Sequence, residues 1–396
     1  MKTDPVFIFG GARTPMTEYV GALKDVSALE LGAIAARGAF EKTGVKPEWV
    51  DDVVFGNVLQ TSADALYGAR HVALKAGVPI EVPALTVNRL CGSGIQAAIS
   101  GAQHIQLGEA SIVLTGGIES MSQAPHVIRG LRSGLKFGQG TLEDSLYECL
   151  LDTMCGLYMA QTAERCAARY EISRQEQDAY AVRSQQCATD AWEAGRLAEE
   201  VVPVEIKTRK GVTKVERDDH LRPGTTIDDL ARLPVAFSKD GGTVTAGNAS
   251  GIVDGGAALI LGSADAAESR GLTPLARLAG WAVVGVEPSL MGMGPAPAIR
   301  TLLEKSNLSL ADIDLFEINE AFAAQYLSVE KELGLDRERV NVNGGAIALG
   351  HPLGMSGTRL LLTLTLELRR RGARRGIAAA CIGGGQGIAA LVETRT

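Results

Sequence analysis

The final third of this 396-residue chain repeats the order of segments found in its first third. Residues 312–319 (DIDLFEIN) resemble residues 50–57 (VDDVVFGN), and each apolar run ends in asparagine. Residues 340–343 (VNVN) resemble residues 85–88 (LTVN), and in both thirds a helix-like stretch and a strand-like run with terminal glycines come next. A repeated element order predicts a duplicated fold, in which equivalent segments take equivalent places.

Strand-like and helix-like segments alternate in the first third. Strands are predicted at residues 6–12, 53–59, 82–87 and 111–117. Between them, apolar residues at helical spacing predict helices. The clearest helix covers residues 27–43, with Ser27 as N-cap and Gly44 as C-cap. This alternation predicts an α/β fold with a largely parallel sheet covered by helices.

The stretch between the two repeated parts is polar and rich in turns, and it lacks the regular alternation. It contains two helical patterns and the basic run 207–210 (KTRK), so we interpret it as an inserted loop domain. The glycine-rich pattern returns at residues 244–251. We therefore divide the chain into an N-terminal half formed by residues 1–120 and 244–270, the inserted loop domain 121–243, and a C-terminal half 271–396.

Composition excludes several classes of protein. The net charge of −7 argues against a nucleic-acid binder, so an anionic ligand needs a local basic patch. No apolar run reaches the roughly 18–20 residues that cross a membrane, and no signal peptide precedes the first strand, so we predict no membrane insertion. Six sparse, unevenly spaced cysteines fit a reducing, cytoplasmic compartment. None of the five histidines has a partner at metal-ligand spacing, so we predict no metal site.

Cys91 lies in the sequence NRLCGSGI, between a strand and a helix predicted over residues 95–107. Gly92 and Gly94 allow a sharp turn and the close approach of a ligand. The helix N-terminus supplies free N–H groups and the positive end of a dipole, which favour the thiolate. The pattern therefore predicts a nucleophile, and a buried structural cysteine is the alternative.

Three side chains of the C-terminal half should lie near Cys91, because open α/β sheets place ligands at the carboxyl ends of their strands. His351 lies in a rigid GHPLG turn and is a candidate base, or a structural histidine. Asn319 is either an amide donor that holds a water or a helix N-cap. Cys381 is either a second thiol that transfers a proton or a packed side chain. These groups suit acyl transfer through a thioester better than peptide hydrolysis, and no GxGxxG pattern supports hydride transfer.

Six sequence motifs together resemble the thiolase family. They occur in the family's order and rough spacing: NRLCGSG, GGIESMS, TVTAGNASG, NEAFA, VNGGAIALGHPLG and CIGGGQG. The resemblance runs from Arg13 to the C-terminus. The sequence as a whole is most similar to the degradative 3-ketoacyl-CoA thiolases, with the acetoacetyl-CoA thiolases as near relatives. It implies two duplicated α/β halves layered α-β-α-β-α, with an inserted loop domain.

The resemblance also implies a mechanism. His351 would deprotonate Cys91, which attacks the 3-keto carbon of a 3-ketoacyl-CoA and keeps the acyl group. Cys381 would protonate the leaving acetyl-CoA carbanion and then deprotonate the incoming CoA thiol. One oxyanion hole would consist of His351 and a water held by Asn319. The other would consist of the N–H groups of Cys91 and Gly383.

For coenzyme A, the resemblance implies seven binding residues: Met159, Arg222, Phe237, Ala246, Ser250, Met291 and Phe322. Arg222 would meet the nucleotide phosphates, or else is a solvated loop charge, and the small Ala246 and Ser250 would let the pantetheine arm pass. CoA and acyl-CoA would be substrates, with no permanently bound cofactor. Two positions depart from the short-chain biosynthetic enzymes, since Tyr158 replaces a histidine and Asp229 a small hydroxyl residue.

Other functions stay open at this point. A decarboxylating condensing enzyme would need a second histidine where Asn319 stands, and a non-catalytic CoA-binding or scaffold subunit would need none of the reactive groups. The family implies a homo-oligomer, for which we predict a dimer of dimers whose second contact is the loop 131–140, or else that loop is plain solvent-exposed surface. Association with other fatty-acid oxidation enzymes is a further expectation. The location would be the bacterial cytosol, or the mitochondrial matrix in a eukaryote.

Overall fold

The computed structural model describes residues 4–209, 211–236 and 241–394. The strands in these ranges are β1 (Val6–Arg13), β2 (Thr17–Glu18), β3 (Asp52–Asn57), β4 (Ala84–Val87), β5 (Ile112–Glu119), β6 (His126–Val127), β7 (Glu143–Asp144), β8 (Leu151–Asp152), β9 (Leu157–Tyr158), β10 (Val204–Thr208), β11 (Gly211–Val215), β12 (Val253–Gly262), β13 (Ala276–Gly285), β14 (Leu315–Ile318), β15 (Arg375–Ile382) and β16 (Gln386–Glu393). The α-helices are α1 (Ala28–Thr43), α2 (Gly68–Lys75), α3 (Ser93–Gln106), α4 (Ser145–Cys149), α5 (Met159–Tyr170), α6 (Arg174–Glu193), α7 (Ile227–Ala231), α8 (Ala264–Arg270), α9 (Pro295–Ser306), α10 (Ala323–Leu333), α11 (Ala346–Leu349) and α12 (Leu353–Arg371).

The main sheet shows the predicted duplication directly. Its strand order is β14-β15-β16-β13-β1-β12-β5-β3-β4, with β2 paired to β12. Outward from β1 the order is β12, β5, β3, β4, and outward from β13 it is β16, β15, β14. Where β4 would have its counterpart, Val340 bridges Phe316 of β14 as a single parallel pair. Three pairings between β1 and β13 join the two halves.

The sheet is mixed, so the prediction of a largely parallel sheet was wrong. β3 is parallel to both β4 and β5, and β14 is parallel to β15. However, β12 runs antiparallel between β1 and β5, because the chain returns into the sheet only after the inserted region. β16 takes the equivalent place between β13 and β15, since it follows β15 through a short hairpin. Alternation along the sequence cannot reveal these reversed strands.

Helices form three layers that alternate with the two halves of the sheet. α1 and α2 share a core with the N-terminal half, and α9 and α10 share one with the C-terminal half. α3 and α12 share the middle core with strands of both halves. In β1, Phe7 and Phe9 belong to the outer core while Val6 and Ile8 belong to the middle one, as strand alternation requires. The layering α-β-α-β-α is confirmed.

The two middle helices touch main chain to main chain near their first turns. A Cβ atom on Gly94 of α3 would lie 2.4 Å from the Thr358 nitrogen, and one on Gly357 of α12 would lie 2.4 Å from the Ile95 nitrogen. Glycine is therefore required at both positions. The contact brings together the turns that precede α3 and α12, which carry Cys91 and His351.

Local signals in the sequence located most elements within a few residues. Ser27 accepts a hydrogen bond from the Glu30 N–H at the start of α1, and Gly44 ends that helix in the left-handed conformation, as predicted. The region 121–243 contains α4 to α7 and three small hairpins, and the three-part division of the chain stays a prediction. No α-helix within the described ranges is long and apolar enough to span a bilayer.

Candidate active site

A cavity of about 410 Å³ opens where the turns before α3 and α12 meet the end of β15. Cys91, His351, Cys381 and Gly383 all contribute to its lining, so the structure brings these predicted residues together. A second part of the wall comes from the inserted region, namely Met121, Cys149, Leu150, Leu151, Asp152, Thr153, Tyr158, Met159 and Ala160. Most of these side chains are apolar, and they suit the non-polar portion of a ligand.

Cys91 lies one residue before the N-cap of α3, directly after Leu90, which has the unusual φ of +46°. The Gly383 N–H donates a hydrogen bond to the Cys91 sulfur. Burial nevertheless raises the pKa of Cys91 to about 11, and the charge of Glu119 acts in the same direction. The prediction that the helix end favours a thiolate was therefore wrong, because desolvation outweighs the N–H donors. Cys91 is a thiol at neutral pH and needs a base.

His351 is 5% exposed and has a hydrogen-bond partner on each ring nitrogen. Nδ1 lies 2.5 Å from Ser356 Oγ, and that hydroxyl donates to the Pro352 carbonyl at 2.9 Å. Since the hydroxyl proton is thus used, Nδ1 carries a proton and donates to Ser356. Nε2 is then the acceptor for Asn319 Nδ2 at 3.2 Å, and it holds the lone pair that a base requires.

The charge state of His351 agrees with that role. Burial, together with the positive charge of Arg359, lowers its pKa to about 3. The imidazole is therefore neutral across the physiological range. Together with the raised pKa of Cys91, this means that the pair rests as thiol and neutral imidazole, and proton transfer must accompany attack on a substrate.

Asn319 is fully buried at the end of β14. Helix α10 begins at Ala323 with Phe322 in the N-cap position, so the alternative that Asn319 is a helix cap was wrong. Its Nδ2 points at His351, while its Oδ1 has no hydrogen-bond partner among the described residues. A buried amide with an unused oxygen next to a base is typical of a group that holds a polar ligand or water.

Cys381 lies at the end of β15 and is fully buried against Met291 and Ala321. Burial raises the pKa of this thiol well above its ordinary value, and the nearby Cys91 adds to the shift. Two thiols therefore reach the same cavity from different places of the duplicated fold, Cys91 from the turn before α3 and Cys381 from the end of β15. Each is protonated at rest, so either one can donate a proton when charge develops nearby.

Six of the seven predicted coenzyme A residues lie within the described ranges, and they divide into two groups. Met159, Ser250, Met291 and Phe322 line the cavity. Arg222 and Ala246 are exposed and lie outside its lining. Phe237 lies outside the described residues.

Arg222 has protein partners of its own, since its guanidinium pairs with Glu18 and donates to the Asp219 carbonyl at 2.9 Å. Asp229 serves in the capping box of α7 with Thr226, which accounts for its side chain without a ligand. The Tyr158 ring lies 4.6 Å from that of Tyr147, measured between centroids. Of the two, Tyr158 forms part of the wall built by the inserted region.

Sequence reasoning missed two residues of the site. Ser356 fixes the proton on His351, and the signal available was a hydroxyl residue in the first turn of the helix that follows GHPLG. Cys149 lines the cavity, and burial raises its pKa to about 12. No sequence signal separates Cys149 from the other cysteines. In the ranges that the structure describes, no group of three or more His, Cys, Asp or Glu side chains is placed to hold a metal ion.

Comparison with known proteins places this geometry in a family. A model of the thiolase N-terminal domain matches residues 6–265, and one of the thiolase C-terminal domain matches residues 272–394. The chain is 53% identical over 390 residues to the human mitochondrial 3-ketoacyl-CoA thiolase, with 98% of each chain covered. It is 48% identical to an acetyl-CoA acetyltransferase of Rhizobium meliloti, covering 99% of this chain and all of the relative.

Solved structures agree with the sequence matches. The crystal structure of the human mitochondrial 3-ketoacyl-CoA thiolase superposes with a TM-score of 0.97 over 99% of both chains. The same enzyme in complex with CoA gives 0.96, at 52% identity and 99% and 98% coverage. The family models and the relatives cover almost the whole chain, including both halves and the region between them. The chain belongs to the thiolase family.

Proposed function

We propose that this protein is a CoA-dependent thiolase. It cleaves 3-ketoacyl-CoA to acetyl-CoA and a shortened acyl-CoA, and it catalyses the reverse Claisen condensation, through an acyl group on Cys91. The observation that carries this proposal is the meeting of two thiols and a neutral, Nδ1-protonated histidine in one cavity. A thioester intermediate needs a thiol and a base, and carbon–carbon cleavage needs a further proton donor.

The steps balance with these groups alone. His351 Nε2 takes the Cys91 proton as sulfur bonds to the 3-keto carbon. The bond between C2 and C3 then breaks, the acyl group stays on Cys91, and the acetyl-CoA carbanion takes the Cys381 proton. Cys381, now a thiolate, removes the proton of the incoming CoA thiol, whose sulfur takes the acyl group. The Cys91 thiolate leaves and regains its proton from His351.

Negative charge on oxygen needs donors at both stages. The Gly383 N–H already donates to the Cys91 sulfur, so it and the Cys91 N–H are suited to the oxygen of an intermediate on that sulfur. The Asn319 amide next to His351 Nε2 is suited to a water that stabilises the enolate oxygen. We assign the coenzyme A contacts from the resemblance to the thiolase family. The proposed coenzyme A contacts are Met159, Arg222, Phe237, Ala246, Ser250, Met291 and Phe322. Among them, Arg222 meets the nucleotide phosphates, and the small Ala246 and Ser250 let the pantetheine arm pass.

Among thiolases, we assign the chain to the degradative class that acts on longer acyl chains. The apolar wall that includes Leu150, Leu151 and Tyr158 supports this choice, because an acyl chain needs apolar contacts beyond the reacting carbons. The second candidate is an acetyl-CoA acetyltransferase, which relatives of 48% identity favour. A scaffold subunit fits less well, since it would not need the gathered thiols, and a decarboxylating enzyme would need histidine in place of Asn319.

The test is the turnover of acetoacetyl-CoA and of a medium-chain 3-ketoacyl-CoA with free CoA, followed by loss of the magnesium–enolate absorbance. Faster turnover of the longer substrate supports the degradative class, and preference for acetoacetyl-CoA supports the second candidate. Cys91→Ala is the control. Turnover of neither substrate, or turnover that survives Cys91→Ala, would overturn the mechanism.

We further propose a homotetramer, a dimer of dimers whose second contact is the loop 131–140. Exposed apolar side chains in that loop support the choice: Leu131, Leu135 and Phe137 are 56%, 40% and 108% exposed. Sedimentation that shows a stable dimer at micromolar concentration would refute it. For location we propose the bacterial cytosol, or the mitochondrial matrix in a eukaryote, where fatty-acid oxidation enzymes would be its partners.

A further inference from the structure

The turn that carries His351 is held on both sides by buried carboxyl groups, one from each half of the fold. We propose that Glu119 and Glu320 are positioning residues, which set the place of His351 relative to Cys91 and Asn319 through hydrogen bonds to the main chain of that turn. The proposal rests on the proposed function for its kinetic consequence. Its structural content depends only on the contacts of the two carboxyl groups.

Glu320 lies next to Asn319 and is fully buried. It accepts four hydrogen bonds, from Tyr180 Oη at 2.6 Å, Ser184 Oγ at 2.7 Å, Asn341 Nδ2 at 3.0 Å and Ile347 N at 3.2 Å. Ile347 belongs to α11, which ends two residues before His351. The main chain also comes close, since a Cβ on Gly345 would lie 2.2 Å from the Glu320 carboxyl carbon. Glu320 thus ties the Asn319 strand end to the segment leading into His351.

Glu119 holds the other side of the turn. Also fully buried, it accepts from Gly354 N at 2.8 Å, Asn57 Nδ2 at 3.0 Å, Leu59 N at 3.0 Å and Val58 N at 3.2 Å. Gly354 follows His351 by three residues, whereas the other donors are the last residue of β3 and the two residues after it, in the N-terminal half. Burial raises the pKa of Glu119 to about 7, and three of its N–H partners oppose that rise.

At both sites the surrounding hydrogen-bond donors are satisfied by a carboxylate and not by a glutamine amide. On Glu320, one oxygen faces the Asn341 amide and the other faces the Ile347 N–H. On Glu119, each oxygen faces at least one backbone N–H. Glutamine has the same shape as glutamate. However, each carboxyl oxygen faces an N–H donor, so the glutamine NH₂ group would face such a donor whichever way the amide is turned. A glutamine variant therefore breaks one hold on the turn without creating a cavity.

Neither carboxyl group lines the cavity, so neither is expected to touch substrate. Their effect on the reaction must act through His351 and Asn319. A displacement of a reacting group by about 1 Å can cost about 100-fold in rate. We expect Glu119→Gln and Glu320→Gln each to lower kcat by up to about 100-fold while KM stays within about twofold, because binding groups are untouched.

The matched control is Glu200→Gln. Glu200 is equally buried and pairs with Arg13 at 2.7 Å and Thr363 at 2.8 Å, with no described contact to residues 346–354. The Glu200→Gln variant should have a lower melting temperature, while kcat of the folded enzyme stays close to the wild-type value. Ser184→Ala removes one donor to Glu320 and also the acceptor of the Gly345 N–H at 3.2 Å, and it provides a milder variant with an intermediate loss of kcat in case Glu320→Gln does not fold.

The experiment measures kcat and KM for thiolysis at about pH 8, melting temperature, and the rate at which iodoacetamide alkylates Cys91 in the folded protein. Alkylation needs no CoA and reports whether His351 still reaches the thiol. The expected result is slower alkylation in the two turn variants, by about 10-fold or more, and an unchanged rate in the control. Wild-type alkylation and kcat in both turn variants, or equal losses in the control, would overturn the proposal. If wild-type protein shows no thiolysis, the proposed function fails, and the alkylation rates still decide whether the carboxyl groups position His351.

Discussion

Replacing Ser356 by alanine tests how the fold fixes the proton on His351. The Nδ1–H of His351 donates to Ser356 Oγ at 2.5 Å, and the hydroxyl in turn donates a hydrogen bond to the Pro352 carbonyl at 2.9 Å. When Nε2 takes the Cys91 proton, the ring becomes positively charged and this acceptor stabilises it. In Ser356→Ala the charged ring has no acceptor at Nδ1, in a site where His351 is only 5% exposed.

The size of the effect follows from that lost bond. A hydrogen bond to a charged group contributes about 1.5–3 kcal/mol, which corresponds to a loss of about 10- to 150-fold in kcat/KM. The alternative response, in which the proton moves to Nε2, removes the base and gives a larger loss. The assay is thiolysis of 3-ketoacyl-CoA together with the alkylation rate of Cys91.

Ser328→Ala is the control for this prediction. Ser328 is also fully buried, and its hydroxyl donates to the Ala324 carbonyl at 2.7 Å within α10, away from the cavity. It should leave kcat/KM near the wild-type value. Wild-type activity in Ser356→Ala would show that the hydroxyl does not determine which ring nitrogen of His351 is protonated, and the assignment of Nε2 as base would lose its support.

Three further outcomes are expected. Because burial raises the pKa of Cys91 to about 11, its alkylation rate should keep rising with pH instead of levelling off above about pH 9, and a plateau below that value would contradict the shift. Gly94→Ala should lower the free energy of unfolding in urea by about 1–3 kcal/mol, since the added Cβ meets a main-chain nitrogen of α12 at 2.4 Å; Gly285→Ala, where nothing lies within 4 Å, is the control, and equal effects would refute the argument. Cys149→Ala should retain thiolysis although Cys149 lines the cavity, because His351 has no described hydrogen bond to it; loss of activity as complete as in Cys91→Ala would assign Cys149 a chemical role.

The layers of the fold were accessible from the sequence because they depend on local patterns and on the repeat. Ser27 and Gly44 marked the ends of α1 correctly. The repeat of residues 50–57 at 312–319 predicted that β14 is the counterpart of β3 in the duplicated fold. The direction of β12 and β16 was not accessible. Strand direction depends on where the chain re-enters the sheet, and an apolar run reads the same in either direction.

The same division applies to the site. Cys91, His351 and Cys381 stand at strand and helix ends next to glycines, so their meeting followed from the fold class. Ionisation did not follow, because the pKa of Cys91 depends on desolvation by side chains distant in sequence. The hydrogen bond from Gly354 to Glu119 did not follow either, because 235 residues separate the two along the chain.

Two properties of the protein depend on different parts of the structure. The spacing of the reacting groups depends on the main-chain contact between α3 and α12, and the shape of the cavity depends also on its far wall. The spacing of the Cys91 and His351 turns depends on Gly94 and Gly357, where no side chain intervenes, so drift in neighbouring side chains leaves the reacting centre in place. The far wall of the cavity comes from a different region, residues 149–153 and 158–160, which take no part in the contact between α3 and α12. A substitution in that wall therefore changes the shape of the cavity without entering the main-chain contact that spaces the Cys91 and His351 turns.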